Sequence, residues 1–255
     1  TGALVDWVLK AREIGERYGA TREAAEHIDD VMSEAADGSV RMKDVFDSAL
    51  KRFSDAYDED GNLLSPGQIF TEIAEELGYD GVIMDAGLHF GPGRRGFGGI
   101  NIPGMRGVRG DTLHIVPFTP NQVKSYTGNS GVFSLIDNDI RRSAERQTES
   151  PEFKRWFGGS KVVDADGQPL VVYHGTAADF DAFDKKKSGA VWGSDKGGFF
   201  FSSESATASE YADFASSQTV GAANVMPVYV SLKNPLTLEK FAEITNGIRL
   251  RQRHG

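Results

Sequence analysis

Residues 170–176 read LVVYHGT, and this stretch decides how the rest of the chain is interpreted. Its first four residues are aliphatic or aromatic, which favours a β-strand, and the glycine after the histidine leaves room for close approach to the backbone. An earlier segment at residues 161–164 (KVVD), which contains two β-branched valines, is separated from it by residues 165–169 (ADGQP), a composition typical of turns. The sequence therefore predicts a β-hairpin over residues 161–174 with a polar strand end at His174.

Helices and strands are predicted on both sides of this hairpin. Apolar periodicity and capping signals indicate the helices, the clearest being the Ser65-Pro66 start of a helix that ends at Gly78. The predicted helices are a first one with an apolar face at residues 5–14 and a stop at Gly19, followed by residues 22–36, 40–57, 65–78, 150–157 and 204–215. The predicted strands are residues 81–85, 113–118, 198–201 and 225–232. The fold class is therefore α+β.

Composition limits the possible functions. The chain has 255 residues, enough for one large domain or two modest ones, and its net charge of -9 disfavours a broad phosphate-binding surface. It has no cysteine, which excludes disulfides, thiolate nucleophiles and cysteine-ligated metals. No apolar run reaches the roughly 18–20 residues of a membrane span, so no membrane partner is expected. The first residue is not methionine, and we expect the chain to be part of a longer protein.

A glycine-rich segment occupies residues 87–110. Its residues 91–96 (GPGRRG) match the pattern G-x-G-x-x-G, but a dinucleotide-binding loop of that type must follow a strand and open a helix. The following residues, FGGIN, do not favour a helix. A surface loop is therefore predicted here.

Three features downstream of the hairpin are candidates for a binding site. His174 lies at a strand end, residues 199–201 are three consecutive phenylalanines, and Tyr211 lies in the helix that follows. Strand alternation places at least one phenylalanine on the opposite face from its neighbours, where it can stack on a flat ring. The alternative is structural: a histidine bonded to its own loop, and phenylalanines that belong to the core.

These motifs resemble the ADP-ribosyltransferases, in particular the domains of large phage polyvalent proteins, within the His-Tyr-Glu group that includes diphtheria toxin and the poly(ADP-ribose) polymerases. Residues 150–176 resemble the opening part of such a domain almost continuously. The resemblance continues at residues 196–203, 211–212 and 228–236. The closing part of the family domain resembles residues 77–83, 115–124 and 127–131.

The order of the two parts is reversed with respect to the family. Here the closing part, residues 65–146, precedes the opening part, residues 150–255. The chain is therefore expected to be one circularly permuted domain, with residues 1–64 as a helical insert or lid. The alternative is a fragment of a tandem array that contains the end of one copy and the start of the next.

The resemblance implies a split β-sandwich, in which two small sheets enclose an NAD cleft and a helical segment lies at the N-terminus. NAD is then a substrate, and no metal is needed. His174 would hydrogen-bond the ribose hydroxyls, the Gly175 backbone would hold the nicotinamide amide, and Phe200 and Tyr211 would sandwich the ring. The residues implied to bind NAD are His174, Gly175, Thr176, Phe200, Ser202 and Tyr211.

Two positions depart from the family motif, whose catalytic positions fall on His174, Phe200 and His114. Phe200 replaces the motif tyrosine and loses its hydroxyl, and His114 replaces the motif glutamate, which stabilises a cationic transition state better than an imidazole does. Both departures put catalysis in question more than they do the fold.

The sequence therefore supports two hypotheses of function. The first is a mono-ADP-ribosyltransferase, a phage-associated and toxin-like effector that is carried in the virion, injected, and modifies a host protein or nucleic acid in the host cytoplasm. The second is a catalytically degenerate module of the same fold that binds a nucleotide or a protein without chemistry. A structural segment with no site is the further alternative, expected only if His174, Phe200, Tyr211 and His114 do not converge.

Overall fold

The structure is a computed structural model that describes residues 2–18, 66–85, 112–126, 147–187, 197–237 and 240. The chain divides into two compact units. The first comprises Thr1–Tyr79, Trp192–Gly197 and Leu236–Gly255, and the second comprises Asp80–Val191 and Gly198–Pro235. The helices predicted at 22–36 and 40–57 and the glycine-rich segment 87–110 lie outside the described residues.

The described part of the first unit contains two packed helices, α1 (Gly2–Arg17) and α2 (Pro66–Glu76), and the short strand β7 (Leu236–Thr237). The ring of Trp7 on α1 lies 5.4 Å from that of Phe70 on α2. Helix α2 ends as predicted, because Gly78 has a φ of +87° and its N–H bonds the Glu75 carbonyl, while the Tyr79 N–H bonds that of Ala74. This pair of bonds is a Schellman motif, which needs the left-handed conformation that glycine adopts without strain.

Six strands of the second unit form an antiparallel sheet. They are β1 (Gly81–Asp85), β2 (Leu113–Pro117), β3 (Val123–Ser125), β4 (Val172–Thr176), β5 (Phe201–Ser202) and β6 (Asn224–Val230), in the spatial order β3-β6-β4-β5-β2-β1. Two further helices in this unit are α3 (Pro151–Phe157) and α4 (Ser205–Gln218). Helices together with a sheet confirm the predicted α+β class.

Few residues pair at the centre of this sheet. Strands β4 and β5 pair through Tyr173 and Ser202, whereas β4 pairs with β6, and β1 with β2, over five residues each. The sheet therefore consists of two three-stranded halves, β3-β6-β4 and β5-β2-β1, that meet at this pair. The expected division into two separate small sheets around a cleft stays a prediction.

Both halves of the sheet contain strands from both parts of the sequence. β2 pairs with β5 through His114–Ser202 and Ile115–Phe201, and β3 pairs with β6. Just before β1, the Asp80 carboxylate accepts the N–H groups of Lys233 at 2.6 Å and Asn234 at 3.0 Å. Within the second unit, β1, β2 and β3, which precede residue 146, and β4, β5 and β6, which follow residue 150, therefore share one hydrogen-bonded framework.

The two faces of the sheet are covered differently. One face, called the core face here, presents Ile115, Val172, Phe201 and Val228 to a hydrophobic core. The other, called the helical face, carries α4 against Gly175. It also presents Tyr229 to the aromatic residues of α3, which are Phe153, Trp156 and Phe157.

The predicted hairpin before β4 is present, although its ladder is short. Val163 pairs with Pro169, and the Asp164 carboxylate accepts the N–H groups of Asp166 and Gln168 at 2.9 and 2.8 Å. Gly167 takes the left-handed conformation that the turn requires, with a φ of +76°. The turn therefore delivers the chain into β4, which ends at the candidate site.

Within the described ranges, no helix combines the length and the apolar character that crossing a membrane requires.

Candidate functional site

His174 on β4 is fixed by a hydrogen bond through one ring nitrogen. Its Nδ1 lies 2.8 Å from the carbonyl oxygen of Phe200. Because a carbonyl oxygen only accepts, the hydrogen of this bond belongs to Nδ1, and in a neutral ring Nε2 is then an acceptor. Burial lowers the pKa of His174, an effect that the bond to Phe200 partly offsets, so the ring is neutral near pH 7. His174 can therefore accept a hydrogen bond from a hydroxyl group through Nε2.

Three phenylalanines pack against the His174 ring. The ring centroids of Phe183, Phe201 and Phe180 lie 5.1, 5.4 and 6.1 Å from that of the imidazole. Phe183 and Phe180 approach it edge-on, at interplanar angles of 79° and 70°. This apolar surround is the physical cause of the lowered pKa of His174.

The backbone of Gly175 points away from β6. Pro227 lacks an N–H and its carbonyl accepts the N–H of Tyr126 at 3.0 Å, so Pro227 makes no ladder bond with Tyr173, the residue it opposes. Backbone groups alternate in direction along an antiparallel strand, so those of Tyr173 and Gly175 point towards β5. The β4–β5 ladder comprises the pair Tyr173–Ser202, and Gly175 lies beyond it. Its N–H and C=O therefore face the point where the two halves of the sheet separate.

A side chain at position 175 would collide with helix α4. A Cβ on Gly175 would lie 1.9 Å from the Ala208 carbonyl oxygen and 2.9 Å from the Ala212 nitrogen. Tyr211 occupies the neighbouring position on the same helix and is half-buried. Glycine at 175 thus brings α4, and with it Tyr211, next to the end of β4.

The other predicted binding residues surround this strand end. Phe200 is half-buried and supplies the carbonyl that holds His174. Thr176 accepts the N–H of Ala178 through Oγ1 at 3.0 Å, and the buried Ser202 accepts the N–H of Glu204 through Oγ at 3.1 Å. These two hydroxyls shape the turns that leave β4 and β5, and a role in binding NAD stays a prediction for both.

His114 is placed differently from His174. It lies on β2, is 4% exposed, and opposes Ser202, which in turn opposes Tyr173. Directly opposed residues share a face and successive residues alternate, so His114 lies on the helical face and His174 on the core face. The structure thus groups His174, Gly175 and Phe200 at one point, whereas it places His114 on the other face of the sheet.

A surface pocket of about 530 Å³ adjoins the end of β4. One wall is formed by residues 177–179, which directly follow Thr176, and the other by residues 220–224, between α4 and β6. Asp179 and Asn224 are its polar side chains, and Val220 is fully exposed. The pocket therefore offers a surface of small apolar and polar residues directly after Thr176, the last residue of β4.

Sequence reasoning did not identify Phe180 and Phe183. Their spacing of three in an otherwise polar stretch, FDAF, was the available signal, because apolar residues in a polar loop are usually anchored in a core. Only the folded chain shows that the loop turns back onto His174.

Among the described residues, no group of three or more histidine, aspartate or glutamate side chains is arranged to hold a metal ion.

A comparison with known protein families found a match for part of the chain. Residues 164–254 match the family model described as ADP-ribosyltransferase in polyvalent proteins, a segment that includes His174, Gly175, Phe200 and Tyr211. His114 lies outside the matched segment. No curated protein and no solved structure matches the chain. The resemblance to the ADP-ribosyltransferases of polyvalent proteins that the motifs indicated is thus confirmed over residues 164–254.

Proposed function

We propose that this protein is an NAD-dependent ADP-ribosyltransferase. The proposal rests on two adjacent residues near the end of β4. His174 is neutral and can accept a hydrogen bond through Nε2, and the backbone groups of Gly175 face away from β6. The first can bind a ribose hydroxyl, and the second matches the acceptor and donors of a carboxamide. The matched segment, residues 164–254, supplies both residues.

The proposed chemistry is displacement of nicotinamide from ribose. The bond between the nicotinamide nitrogen and ribose C1′ breaks, its electron pair leaves with nicotinamide, and an acceptor atom of the target forms the new bond to C1′. The transition state resembles an oxocarbenium ion, so the protein must orient the ribose and hold the departing ring. His174 orients the ribose hydroxyls, Gly175 holds the carboxamide, and Phe200 and Tyr211 stack on the nicotinamide ring.

The proposal extends to the target of the transfer and to the place where it is modified. Transfer of a single ADP-ribose unit to a host protein or nucleic acid, by a toxin-like effector that enters the host cytoplasm from a virion, is supported by the polyvalent-protein family of residues 164–254. The net charge of -9 favours local recognition of the target over a broad electrostatic surface.

We further propose that residues 65–146 and 150–255 close one circularly permuted domain, to which residues 1–64 add a helical insert. The pairing of β2 with β5 and of β3 with β6 supports this proposal, because each ladder joins the two parts. The Asp80 bonds to residues 233 and 234 support it as well.

The direct test is release of nicotinamide from NAD by the full chain, by His174→Ala, and by the control His27→Ala, which removes a histidine with no proposed role. We expect release by the wild type and the control, and about fivefold less by His174→Ala, since a lost hydrogen bond costs about 1 kcal/mol. No release by the wild type, together with no heat of NAD binding in calorimetry, would contradict the proposal.

A second candidate function is a binding module without catalysis. Phe200 and His114 favour it, since they stand at the motif positions for tyrosine and glutamate. Because His114 lies on the other face of the sheet from His174, the informative variant is Phe200→Tyr, which we expect to release nicotinamide at a rate at least equal to that of the wild type. If the wild type binds NAD without cleaving it and only Phe200→Tyr cleaves, the protein is a binder; cleavage by both excludes this candidate.

A further inference from the structure

Phe183 occupies a central position beside the candidate site. Its ring is 5% exposed and meets the His174 imidazole edge-on at 5.1 Å. The same ring also contacts three other phenylalanines at centroid distances of 4.9 to 5.4 Å, namely Phe180, Phe199 and Phe201. Phe183 thus lies between His174 and the hydrophobic core of the sheet.

The loop that carries Phe183 is ordered on both sides of it. At its start, Thr176 Oγ1 accepts the N–H of Ala178 at 3.0 Å. At its end, the Asp184 carboxylate accepts the N–H of Lys186 at 2.9 Å, and its carbonyl accepts that of Lys187. Hydrogen-bonded turns therefore flank Phe183 on both sides, and between them its ring packs against His174.

We propose that Phe183 is the positioning residue of His174: its ring excludes water from the imidazole and holds it with Nδ1 on the Phe200 carbonyl, so that Nε2 remains the acceptor. This inference rests on the proposed function of His174 as the partner of a ribose hydroxyl. If the imidazole of His174 could rotate or become hydrated, it would exchange between its two neutral tautomers. The tautomer protonated at Nε2 cannot accept a hydrogen bond at that nitrogen.

The groups around His174 determine its pKa, so the role of Phe183 can be tested by measuring that pKa. Met226 opposes it on β6, Phe201 contacts it from β5, and Phe180 contacts it from the loop. The charged groups of that loop are Asp179, Asp181, Asp184 and the lysines 185–187. Among the described residues, the two influences on the pKa of His174 are burial, which lowers it, and the Phe200 carbonyl, which raises it. Loss of the Phe183 ring reduces burial and is therefore expected to move this pKa upward, towards its ordinary value of 6.5.

The experiment follows the imidazole nitrogens of His174 by NMR across a pH titration of the full chain. The variants are Phe183→Leu and Phe183→Met, which keep apolar volume, and the control is Phe153→Leu, which removes a buried ring on the helical face. In the wild type and in Phe153→Leu, we expect a pKa below 6.5 and hydrogen on Nδ1. In both Phe183 variants we expect a higher pKa, a mixture of tautomers, and an acid limb of nicotinamide release shifted to higher pH.

Unchanged pKa and tautomer in both Phe183 variants would overturn the inference and leave Phe183 as a core residue. The titration is made without NAD, so it is independent of the proposed function. A wild type that fails to bind NAD but shows the expected titrations would contradict the function while supporting the control of His174 by Phe183.

Discussion

Replacing Gly175 with alanine is expected to destabilise the second unit and to abolish NAD binding. The new methyl group would lie 1.9 Å from the Ala208 carbonyl oxygen and 2.9 Å from the Ala212 nitrogen. Both atoms are backbone, so no side-chain rotation relieves the collision, and α4 must move off β4. Overpacking of this kind costs about 1–3 kcal/mol or more, a large part of a typical stability of about 5–15 kcal/mol.

Urea denaturation together with NAD calorimetry checks this prediction, and Gly167→Ala is its control. Gly167 has a φ of +76° and open space around its Cβ position, so alanine there strains the hairpin turn without touching α4. We expect it to lose about 1 kcal/mol and to bind NAD like the wild type. A Gly175→Ala variant as stable as the wild type would show that α4 does not rest on Gly175.

Replacing Trp156 with alanine is expected to cost about 3–5 kcal/mol, the usual range for a buried tryptophan. Trp156 is 3% exposed and packs against Phe153 at 5.6 Å and Phe157 at 6.0 Å. Its indole Nε1 donates to the Asn121 carbonyl at 3.0 Å, which joins α3 to the turn before β3. The substitution therefore removes a contact between the two parts of the proposed permuted domain.

Hydrogen exchange measures whether these parts unfold together. In Trp156→Ala we expect the amides of β3 and β4 to lose protection by the same factor, whereas the control Trp156→Phe, which keeps an aromatic ring and loses the indole bond, should lose about 1 kcal/mol. Loss of protection in β4 with none in β3 would favour two independent halves over one domain.

Elements with local signals were predicted well. The N-cap Ser150, whose Oγ accepts the N–H of Phe153, and the stop at Gly78 define α3 and α2 as the sequence indicated, and β1 has its predicted bounds. The strand predicted at residues 198–201 is instead β5, Phe201–Ser202. Residues 198–200 lie outside this strand but still contact β2: the Phe199 N–H donates to the Pro117 carbonyl, and a Cβ on Gly198 would contact Val116.

The sequence identified only those site residues that lie close together along the chain. His174 and Gly175 follow from the sequence because they are adjacent in one predicted strand, although β4 runs from Val172 to Thr176 and does not end at His174. The placement of His114 on the opposite face depends on the register of β2 against β5, which a sequence does not specify. The contact of Phe183 with His174 depends on the path of a loop, which is likewise set by tertiary packing.

The most direct test of the site is an NMR titration of the wild-type chain with NAD that follows the His174 imidazole and the Gly175 amide. We predict that both signals shift in a saturable manner, while the Phe153 amide on the other face of the sheet stays unchanged. No shift at His174 or Gly175 at millimolar NAD would contradict the assignment of this strand end as the NAD site.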